Sequence, residues 1–458
     1  MLTVAVGVYV LAQLAIAAWA SRGMASDADY LVAGRRLGVL AIAMSFFATW
    51  FASESVVALT GEVAEAGLSA ARIEPLAYGL GIFLLGLFIV GRLRASGAMT
   101  LADFLRERYG RSTETLAALA IAASGAIWAA AQLFALAAIV ASVSGLGFLP
   151  ALGAGASVVI AYTLLGGLLG DVVTDALQGV ILILVLGVLT VLAFNAAGGL
   201  GPAFAAVPAE QWAFEGAGES WVDQVELWLV PIFASIVAQE AIARALGAKT
   251  PTVARVGAMT GAGIYVAVCG LPVVLGLIGP HLGLGLGEGE AFVSDLAQAL
   301  LPPWLYVVFA GALVSAILSS VDSAILAVAA VATESGYRRL RPGATDREYL
   351  RAARAMTVLA GLAATAIAAS GEGIREIVTA AASVGGVLVA PVLFAIFGRS
   401  FGGGAAASAA VIVQFVLLAG LEWIGGVQGG FLISVLGGVA AYVGVAVSPS
   451  TGLLTIKQ

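Results

Sequence analysis

Long apolar runs separated by short polar segments make up almost the whole chain. A helix needs about 20 apolar residues to cross a bilayer, so these runs predict a series of membrane-spanning helices. The first run, residues 2–20, precedes the first cation, Arg22, whereas a cleaved signal peptide carries its positive charge before the apolar stretch. We therefore expect residues 2–20 to remain as a helix whose N-terminus lies outside. The further predicted spans, which bring the total to about thirteen, are residues 38–59, 74–91, 113–143, 147–169, 173–196, 225–243, 256–279, 303–333, 354–370, 374–397, 404–422 and 429–448.

The composition is that of a polytopic membrane protein. Of the 458 residues 61% are hydrophobic and 10% are charged, whereas about 25% of a soluble domain is charged. No stretch is left for a separate soluble domain, so residues 1–458 are expected to form a single transmembrane domain. The sequence has no phosphate-binding loop, metal-ligand cluster or paired nucleophile and base, which argues against an enzyme and against a cofactor. The expected partners are a small solute and the lipid bilayer, with no nucleic acid and no obligate protein partner.

The positions of the cations support this topology independently of hydropathy. All 21 Lys and Arg residues except Arg72 and Arg375 fall in loops that the predicted spans place inside. An excess of Lys and Arg is typical of cytoplasmic loops. The pattern therefore predicts a protein of the cell membrane with its C-terminus in the cytoplasm.

One predicted span carries polar side chains in its middle. Between Ala316 and Ser323, three serines share one helical face, and Asp322 lies at its edge. An Asp inside the membrane is usually paired, turned towards water or bound to a cation, which favours a functional site. In the structural alternative, the serines bond carbonyls of the preceding turn and Asp322 bonds a neighbouring helix.

Six short segments, in this order and spacing, resemble the sodium/solute symporter family, which includes sodium/glucose, sodium/proline and sodium/sialic acid transporters. The segments are Asp29–Arg35 (DYLVAGR), Phe47–Phe51 (FATWF), Thr100–Gly110 (TLADFLRERYG), Gly166–Gly167 with Thr174–Asp175, Arg244–Lys249 (RALGAK) and Ala316–Ser323 (AILSSVDS).

The resemblance covers nearly the whole chain and implies an all-α, LeuT-like fold. Two inverted five-helix repeats would lie at about 38–197 and 225–397, and the helices at 2–20, 404–422 and 429–448 would be peripheral. The implied function is secondary active transport, in which a small organic solute is carried together with sodium by alternating access. Proton-coupled transport of the same kind, a transporter-like solute sensor and a channel or passive facilitator remain as alternatives.

The family's shared sodium site implies a set of ligands in this chain. They would be the main-chain carbonyls of Ala48, Phe51 and Ala316 and the hydroxyls of Ser319 and Ser320. In this family the first helix of each repeat is interrupted at this depth, which frees carbonyls for Na⁺. Here no Gly or Pro marks a break near Ala48, so the interruption is implied by the resemblance alone.

Some family members bind a second cation, and the matching positions here are Asp175, Ser319, Asp322 and Ser323. This chain departs from those members in having a carboxylate at position 322 instead of a hydroxyl. Two nearby carboxylates share one proton unless a cation lies between them. The expectation is therefore a second Na⁺ or a titrating proton, and the alternative is an Asp322 that is simply hydrogen-bonded near the cytoplasmic exit.

The candidates for substrate binding are polar or aromatic residues of the predicted core helices: Trp50, Glu54, Glu74, Gln132, Gln239, Glu240, Thr379 and Ser383. Buried glutamates could meet an ammonium group, and Trp50 could add a cation–π contact, so an amino acid or another amine-bearing solute is favoured. A sugar is disfavoured, because Ala238 stands where sugar-carrying relatives have an Asn.

Structural roles remain open for the three glutamates. Glu54 would suit the first turn of a helix, where a carboxylate complements the helix dipole. Glu74 precedes a proline and could cap a helix while pairing with Arg72, and Glu240 could form a helical ion pair with Arg244.

Overall fold

The structure is a computed structural model, and it describes residues 12, 15–16, 18–19, 22, 24, 26–51, 53–216, 218–370, 374–398 and 401–448. The predicted first span, residues 2–20, falls largely outside the described residues. The α-helices of the described part, numbered in chain order, are α1 (Asp27–Val32), α2 (Val39–Trp50), α3 (Leu59–Ala66), α4 (Tyr78–Leu84), α5 (Val90–Ser96), α6 (Leu101–Tyr109), α7 (Arg111–Ser144), α8 (Phe148–Ala196), α9 (Leu200–Ala205), α10 (Trp221–Val237), α11 (Gln239–Leu246), α12 (Pro251–Ile278), α13 (Phe292–Leu300), α14 (Pro303–Val331), α15 (Arg338–Leu340), α16 (Asp346–Ala368), α17 (Ile374–Gly386), α18 (Val389–Phe397), α19 (Gly404–Leu418) and α20 (Gly430–Ala446).

Short 3₁₀ and π-helical turns connect several of these helices. The 3₁₀ turns are Ala33–Arg35, Gly67–Arg72, Ala209–Trp212, Gly279–Leu282 and Gly289–Ala291, and the π-helical turns are Glu54–Ala58, Ile73–Ala77, Leu85–Ile89, Ala332–Tyr337 and Ala419–Ile424. The only β-type pairing in the described residues is a parallel bridge between Leu37 and Ala248. The predicted all-α class is confirmed.

Helix length explains why the number of spans cannot be read directly from the helices. Within the described residues, eight helical segments are long and apolar enough to cross a membrane, or nine if the bent pair of α10 and α11 counts as one. Two of the segments, Glu54–Ser96 and Phe148–Ala196, have 43 and 49 residues. At 1.5 Å per residue, each is roughly twice the 30 Å thickness of a bilayer core. The arrangement of thirteen spans stays a prediction.

Each long segment contains at least one residue with non-helical backbone. In the first segment Gly67 has φ 69° and ψ −153° and Glu74 has φ −118° and ψ 127°, and in the second segment Gly167 has φ 51° and ψ −167°. A Cβ at Gly167 would lie 2.8 Å from the carbonyl oxygen of Tyr30. Glycine therefore permits both the left-handed backbone and the close approach of α1 at this bend.

The first helix of each expected repeat is interrupted. Helix α2 ends at Trp50, and Phe51 leaves the helical conformation with ψ 68° before the chain turns again at Glu54–Ala58. Helix α10 ends at Val237, Ala238 has ψ 108°, and α11 continues at an angle of 40° to α10. Both interruptions that the resemblance implied are present, although neither Phe51 nor Ala238 is a Gly or Pro.

Helices α8, α12 and α14 pack against the interrupted helix α2. Small residues permit close contact between α2 and α12: a Cβ at Gly257 would lie 2.6 Å from Ile42, and one at Gly261 would lie 2.7 Å from the carbonyl oxygen of Ala43. Close backbone approach at small residues is the usual way in which helices associate in lipid.

The Leu37–Ala248 bridge joins the segment before α2 to the segment after α11. The N–H of Leu37 donates to the carbonyl of Gly247 at 3.0 Å, and the N–H of Lys249 donates to the carbonyl of Leu37 at 3.0 Å. Main-chain hydrogen bonds therefore connect the two interrupted helices at one end.

Candidate functional site

Asp175 connects the interrupted helix α2 to the polar stretch of α14. Its Oδ2 accepts a hydrogen bond from the Ser45 hydroxyl at 2.6 Å, and its Oδ1 accepts one from the Ser319 hydroxyl. All three side chains are buried. Ser45 lies on α2 one helical turn before Thr49, so this carboxylate brings α14 against α2 close to its interruption.

Arg244 of α11 occupies the centre of the same polar cluster. Its Nη2 lies 2.9 Å from Asp171 Oδ2 and 3.1 Å from Asp175 Oδ2, and all three side chains are almost fully buried. The same nitrogen donates to the Ser323 hydroxyl at 2.6 Å, while Nε donates to the Ser45 hydroxyl at 2.7 Å. A planar guanidinium suits this convergence of acceptors, because its donors point in fixed directions.

Two expectations about Arg244 were wrong. The charge analysis placed it in an inside loop, but it lies on α11 with 0% of its surface exposed. It also forms no ion pair with the Glu240 carboxylate: Arg244 Nη1 donates instead to the main-chain carbonyl of Glu240 at 3.0 Å. The i, i+4 spacing of Asp171 and Asp175, where the predicted spans 147–169 and 173–196 meet, was the signal that could have located its true partners.

The structure separates the predicted second-site residues into two environments. Ser319 and Ser323 both donate to Asp171, at 3.1 and 2.9 Å, and Ser323 also bonds the carbonyl of Ser319 one turn earlier at 2.8 Å. The position beside Asp175 and Ser323 is thus taken by the guanidinium of Arg244. Asp322 is fully buried, and neither of its carboxylate oxygens has a hydrogen-bond partner among the described residues.

Two buried serine hydroxyls of α14 also lack a partner among the described residues. They belong to Ser315 and Ser320, which are 1% and 3% exposed. A buried polar group without a partner is costly, so each hydroxyl has unused capacity to bind an ion or a water molecule. Of the two, only Ser320 belongs to the sodium ligands that the family resemblance implies.

A cavity of about 710 Å³ contains three of the predicted substrate residues, Glu54, Glu74 and Thr379. Its lining is strongly acidic, and the carboxylates that line it are Glu54, Glu62, Glu65, Glu74, Glu219, Asp223 and Glu226. Glu74 is 7% exposed, and its Oε2 has no hydrogen-bond partner among the described residues.

A smaller cavity of about 50 Å³ contains three more predicted residues, Trp50, Gln239 and Glu240. Tyr78 lines both cavities, so they adjoin each other. Trp128 adds a second indole to the smaller cavity. Neither Tyr78 nor Trp128 was expected from the sequence, because an aromatic residue in an apolar helix gives no signal of its own.

Gln132 and Ser383 do not line either cavity. Gln132 instead connects two residues near the interruption of α2: its Oε1 accepts from the Ser53 hydroxyl at 2.8 Å, and its Nε2 donates to Glu54 at 3.2 Å. Ser383 donates to Glu422 at 3.1 Å. Gln132 therefore orients a cavity glutamate, whereas Ser383 contacts a different segment.

The suggested pairing of Glu74 with Arg72 is wrong. Arg72 forms a two-point ion pair with Glu219, with nitrogen–oxygen distances of 2.6 and 2.5 Å. This hydrogen-bonded guanidinium lowers the pKa of the Glu219 carboxyl below its usual value. The pair attaches the segment that precedes α10 to the turn Gly67–Arg72.

Comparison with known proteins identifies the family. The model of the sodium:solute symporter family matches residues 30–412. The chain belongs to this family.

Named relatives agree with this assignment. The chain is 26% identical over 389 residues to the sodium/proline symporter of Escherichia coli (strain K12), a match that covers 80% of this chain and 76% of the relative. It is also 26% identical over 382 residues to the high-affinity choline transporter 1 of Torpedo marmorata, covering 77% of this chain and 64% of the relative.

A solved structure of a Na⁺-coupled sialic acid symporter in a substrate-bound, outward-open state has the same fold. Its TM-score is 0.84 at 18% identity, and the match covers 97% of each chain. MhsT in complex with L-phenylalanine matches with a TM-score of 0.56 at 12% identity. The expected LeuT-like fold is confirmed.

The family assignment also confirms the general function. The protein is a multi-pass membrane protein that carries a solute by sodium-coupled symport. The relatives are named as transporters and favour neither the proton-coupled alternative nor the sensor alternative.

Proposed function

We propose that the coupling Na⁺ binds between the interruption of α2 and the polar stretch of α14. Its ligands are the carbonyls of Ala48, Phe51 and Ala316 and the hydroxyls of Ser319 and Ser320. Transport proceeds by alternating access across the cell membrane, with the N-terminus outside and the C-terminus inside. The two repeats, at about 38–197 and 225–397, form the moving core, and the remaining helices are peripheral.

The observation that carries this sodium site is the hydrogen bonding of Asp175 to both Ser45 and Ser319. It joins α2 and α14 beside the place where Phe51 leaves the helix. Carbonyls at the end of an interrupted helix have no intrahelical partner and are suitable Na⁺ ligands. The buried hydroxyl of Ser320 supplies a further oxygen that no described protein group uses.

The test compares Ser320→Ala with Ser315→Ala in reconstituted vesicles. Both serines lie on α14, and both hydroxyls are buried without a partner among the described residues. A contact to a charged group is worth about 1.5–3 kcal/mol, so Ser320→Ala should raise the Na⁺ concentration for half-maximal uptake by roughly tenfold or more. Ser315→Ala should leave it unchanged. Equal Na⁺ dependence in the two variants would rule out Ser320 as a ligand.

The region of Asp175, Ser319, Asp322 and Ser323 is proposed to take up a second positive charge during the cycle. Asp171, Asp175 and Asp322 are buried together, and Arg244 compensates only one of these three carboxylates. Uncompensated charge is strongly disfavoured inside a protein. Arg244 contacts both Asp171 and Asp175 but forms no ion pair with Asp322, so Asp322 is the carboxylate proposed to hold a proton or a Na⁺.

The solute is proposed to be amine-bearing. The relatives named above carry proline and choline, each of which has a positively charged nitrogen. In this chain Trp50 and Glu240 line the smaller cavity, and Glu54 and Glu74 line the adjoining larger one. An aromatic face and a carboxylate are the groups that attract an ammonium ion.

A further inference from the structure

The larger cavity has one sign of charge. Seven carboxylates line it, and none of its described lining residues is Lys, Arg or His. The described lining of the smaller cavity also contains no Lys, Arg or His. A cleft lined by one sign of charge concentrates ions of the opposite sign. A cationic solute is therefore attracted to this cavity, whereas the carboxylate of a solute would meet no basic side chain there.

The carboxylates at the edge of the cavity are already held by protein groups. Glu219 is bound by Arg72, while Glu65 and Glu226 accept hydrogen bonds from main-chain N–H groups of other segments, at 3.0 and 2.8 Å. Glu74 differs from them, because its Oε2 is buried without a partner among the described residues. A buried carboxylate oxygen without a donor is costly, and an N–H of the ligand would remove that cost.

Aromatic rings continue the site beyond Glu74. Tyr78 lies four residues after Glu74 and lines both cavities, while Trp50 and Trp128 line the smaller one. An ammonium ion above such a ring is attracted by the negative face of the ring, and the attraction is stronger when water is excluded. The cavity of about 710 Å³ has the size typical of small-molecule sites.

We propose that this pair of cavities binds a protonated organic amine that has no carboxylate, with an ammonium N–H donating to the Glu74 carboxylate. The proposal rests on the symport function described above and narrows its solute. A zwitterionic amino acid carries a carboxylate that finds no basic partner in the lining. A quaternary ammonium ion has the charge but no N–H for Glu74. A protonated amine without a carboxylate has both the positive charge and the N–H, and it needs no basic partner.

The experiment measures binding to the full chain in detergent by titration calorimetry, in Na⁺ buffer and in K⁺ buffer. Three compounds differ in one feature each: prolinamide is a protonated amine, proline is its zwitterionic counterpart, and the 2-carbamoyl-1,1-dimethylpyrrolidinium ion, which has two methyl groups on the ring nitrogen, is its quaternary form. The same three forms built on a six-membered ring make a second set. In Na⁺, the protonated amine of at least one set should bind about tenfold tighter than its two counterparts.

The proposal is overturned if the zwitterion or the quaternary ion binds as tightly as the amine, or if neither amine binds at about 1 mM. Failure of the symport function gives a different result, because binding would then be the same in Na⁺ and K⁺ for every compound. These comparisons use the natural sequence and do not depend on the folding of any variant.

A pair of variants tests the assignment to Glu74. Glu74→Gln should weaken binding of the amine by roughly tenfold, since a charge-assisted hydrogen bond is lost. Glu65→Gln, in the same cavity, removes an equal charge from a residue that already accepts a hydrogen bond, so it should change binding by less than about threefold. Equal losses in the two variants would show that only the general charge of the cavity matters and would overturn the role of Glu74.

Discussion

Replacing Arg244 by leucine should destabilise the protein more than any other single change in the polar cluster. The guanidinium lies 2.9 and 3.1 Å from two buried carboxylates and bonds two buried hydroxyls at 2.6 and 2.7 Å. Removal of one partner of a buried ion pair costs about 3–5 kcal/mol, because the remaining charge stays buried without compensation. Here Asp171 and Asp175 both lose their partner, so we expect a loss at the upper end of that range.

The matched control removes the carboxylates together with the guanidinium. In the triple variant Arg244→Leu, Asp171→Asn, Asp175→Asn, neither of the two carboxylates that Arg244 contacts is left as an unpaired charge, and the loss should be only about 1–2 kcal/mol. Arg244→Lys keeps the charge but not the fixed array of donors, so its stability should be intermediate.

The free energy of unfolding can be measured by titration with dodecyl sulfate in mixed micelles, followed by tryptophan fluorescence. A loss below about 1 kcal/mol for Arg244→Leu would contradict the reasoning, since a buried guanidinium with these contacts cannot be removed so easily. A triple variant as unstable as Arg244→Leu would also contradict the reasoning. The loss of stability would then come from lost packing and not from the unpaired carboxylates.

Three further predictions concern other parts of the molecule. Gly261→Val should destabilise the protein by about 1–3 kcal/mol in the same unfolding titration, because the new Cβ would lie 2.7 Å from the carbonyl oxygen of Ala43, whereas Gly263→Val has open space. Asp322→Asn should change the charge moved per solute and its dependence on pH, measured as reversal potentials in vesicles, and an unchanged ratio would contradict a second charge at this residue. Since the pKa of Glu219 is lowered in the folded state, its ion pair with Arg72 stabilises the protein above the unfolded pKa of about 4.3 and is lost as pH falls through the folded pKa. Proteolysis before α10 should therefore accelerate in acid, and Arg72→Gln should abolish this dependence.

The fold could be predicted from the sequence because apolar runs, loop cations and the order of six motifs agree with one another. The interruption at Phe51 could not be predicted from these patterns. No Gly or Pro marks it, and the break arises from the tertiary arrangement of α2 against its neighbours. Only the resemblance to a family implied it, and the structure has it between Trp50 and Glu54.

The candidate site could be predicted only in part from the sequence, because spacing along the chain does not show which helices meet. The polar face of α14 was predicted from its own periodicity. Its contact with Asp171 and Arg244, which lie 148 and 79 residues from Ser319 and Ser323 respectively, depends on how separate helices pack. Arg244 was misassigned for a related reason: a cation near the end of an apolar run has the same pattern whether it is solvated or buried between carboxylates.

The bridge between Leu37 and Ala248 has a consequence for how the carrier could be engineered. Because main-chain atoms make it, replacing the side chains of Leu37 or Lys249 leaves the connection intact, and a conventional alanine scan would pass over it. Lys249→Pro removes the N–H that donates to Leu37 and should let the two discontinuous helices move separately. Such a variant should still bind Na⁺ and solute but let either cross without the other, which would be seen as solute efflux that no longer depends on the ion.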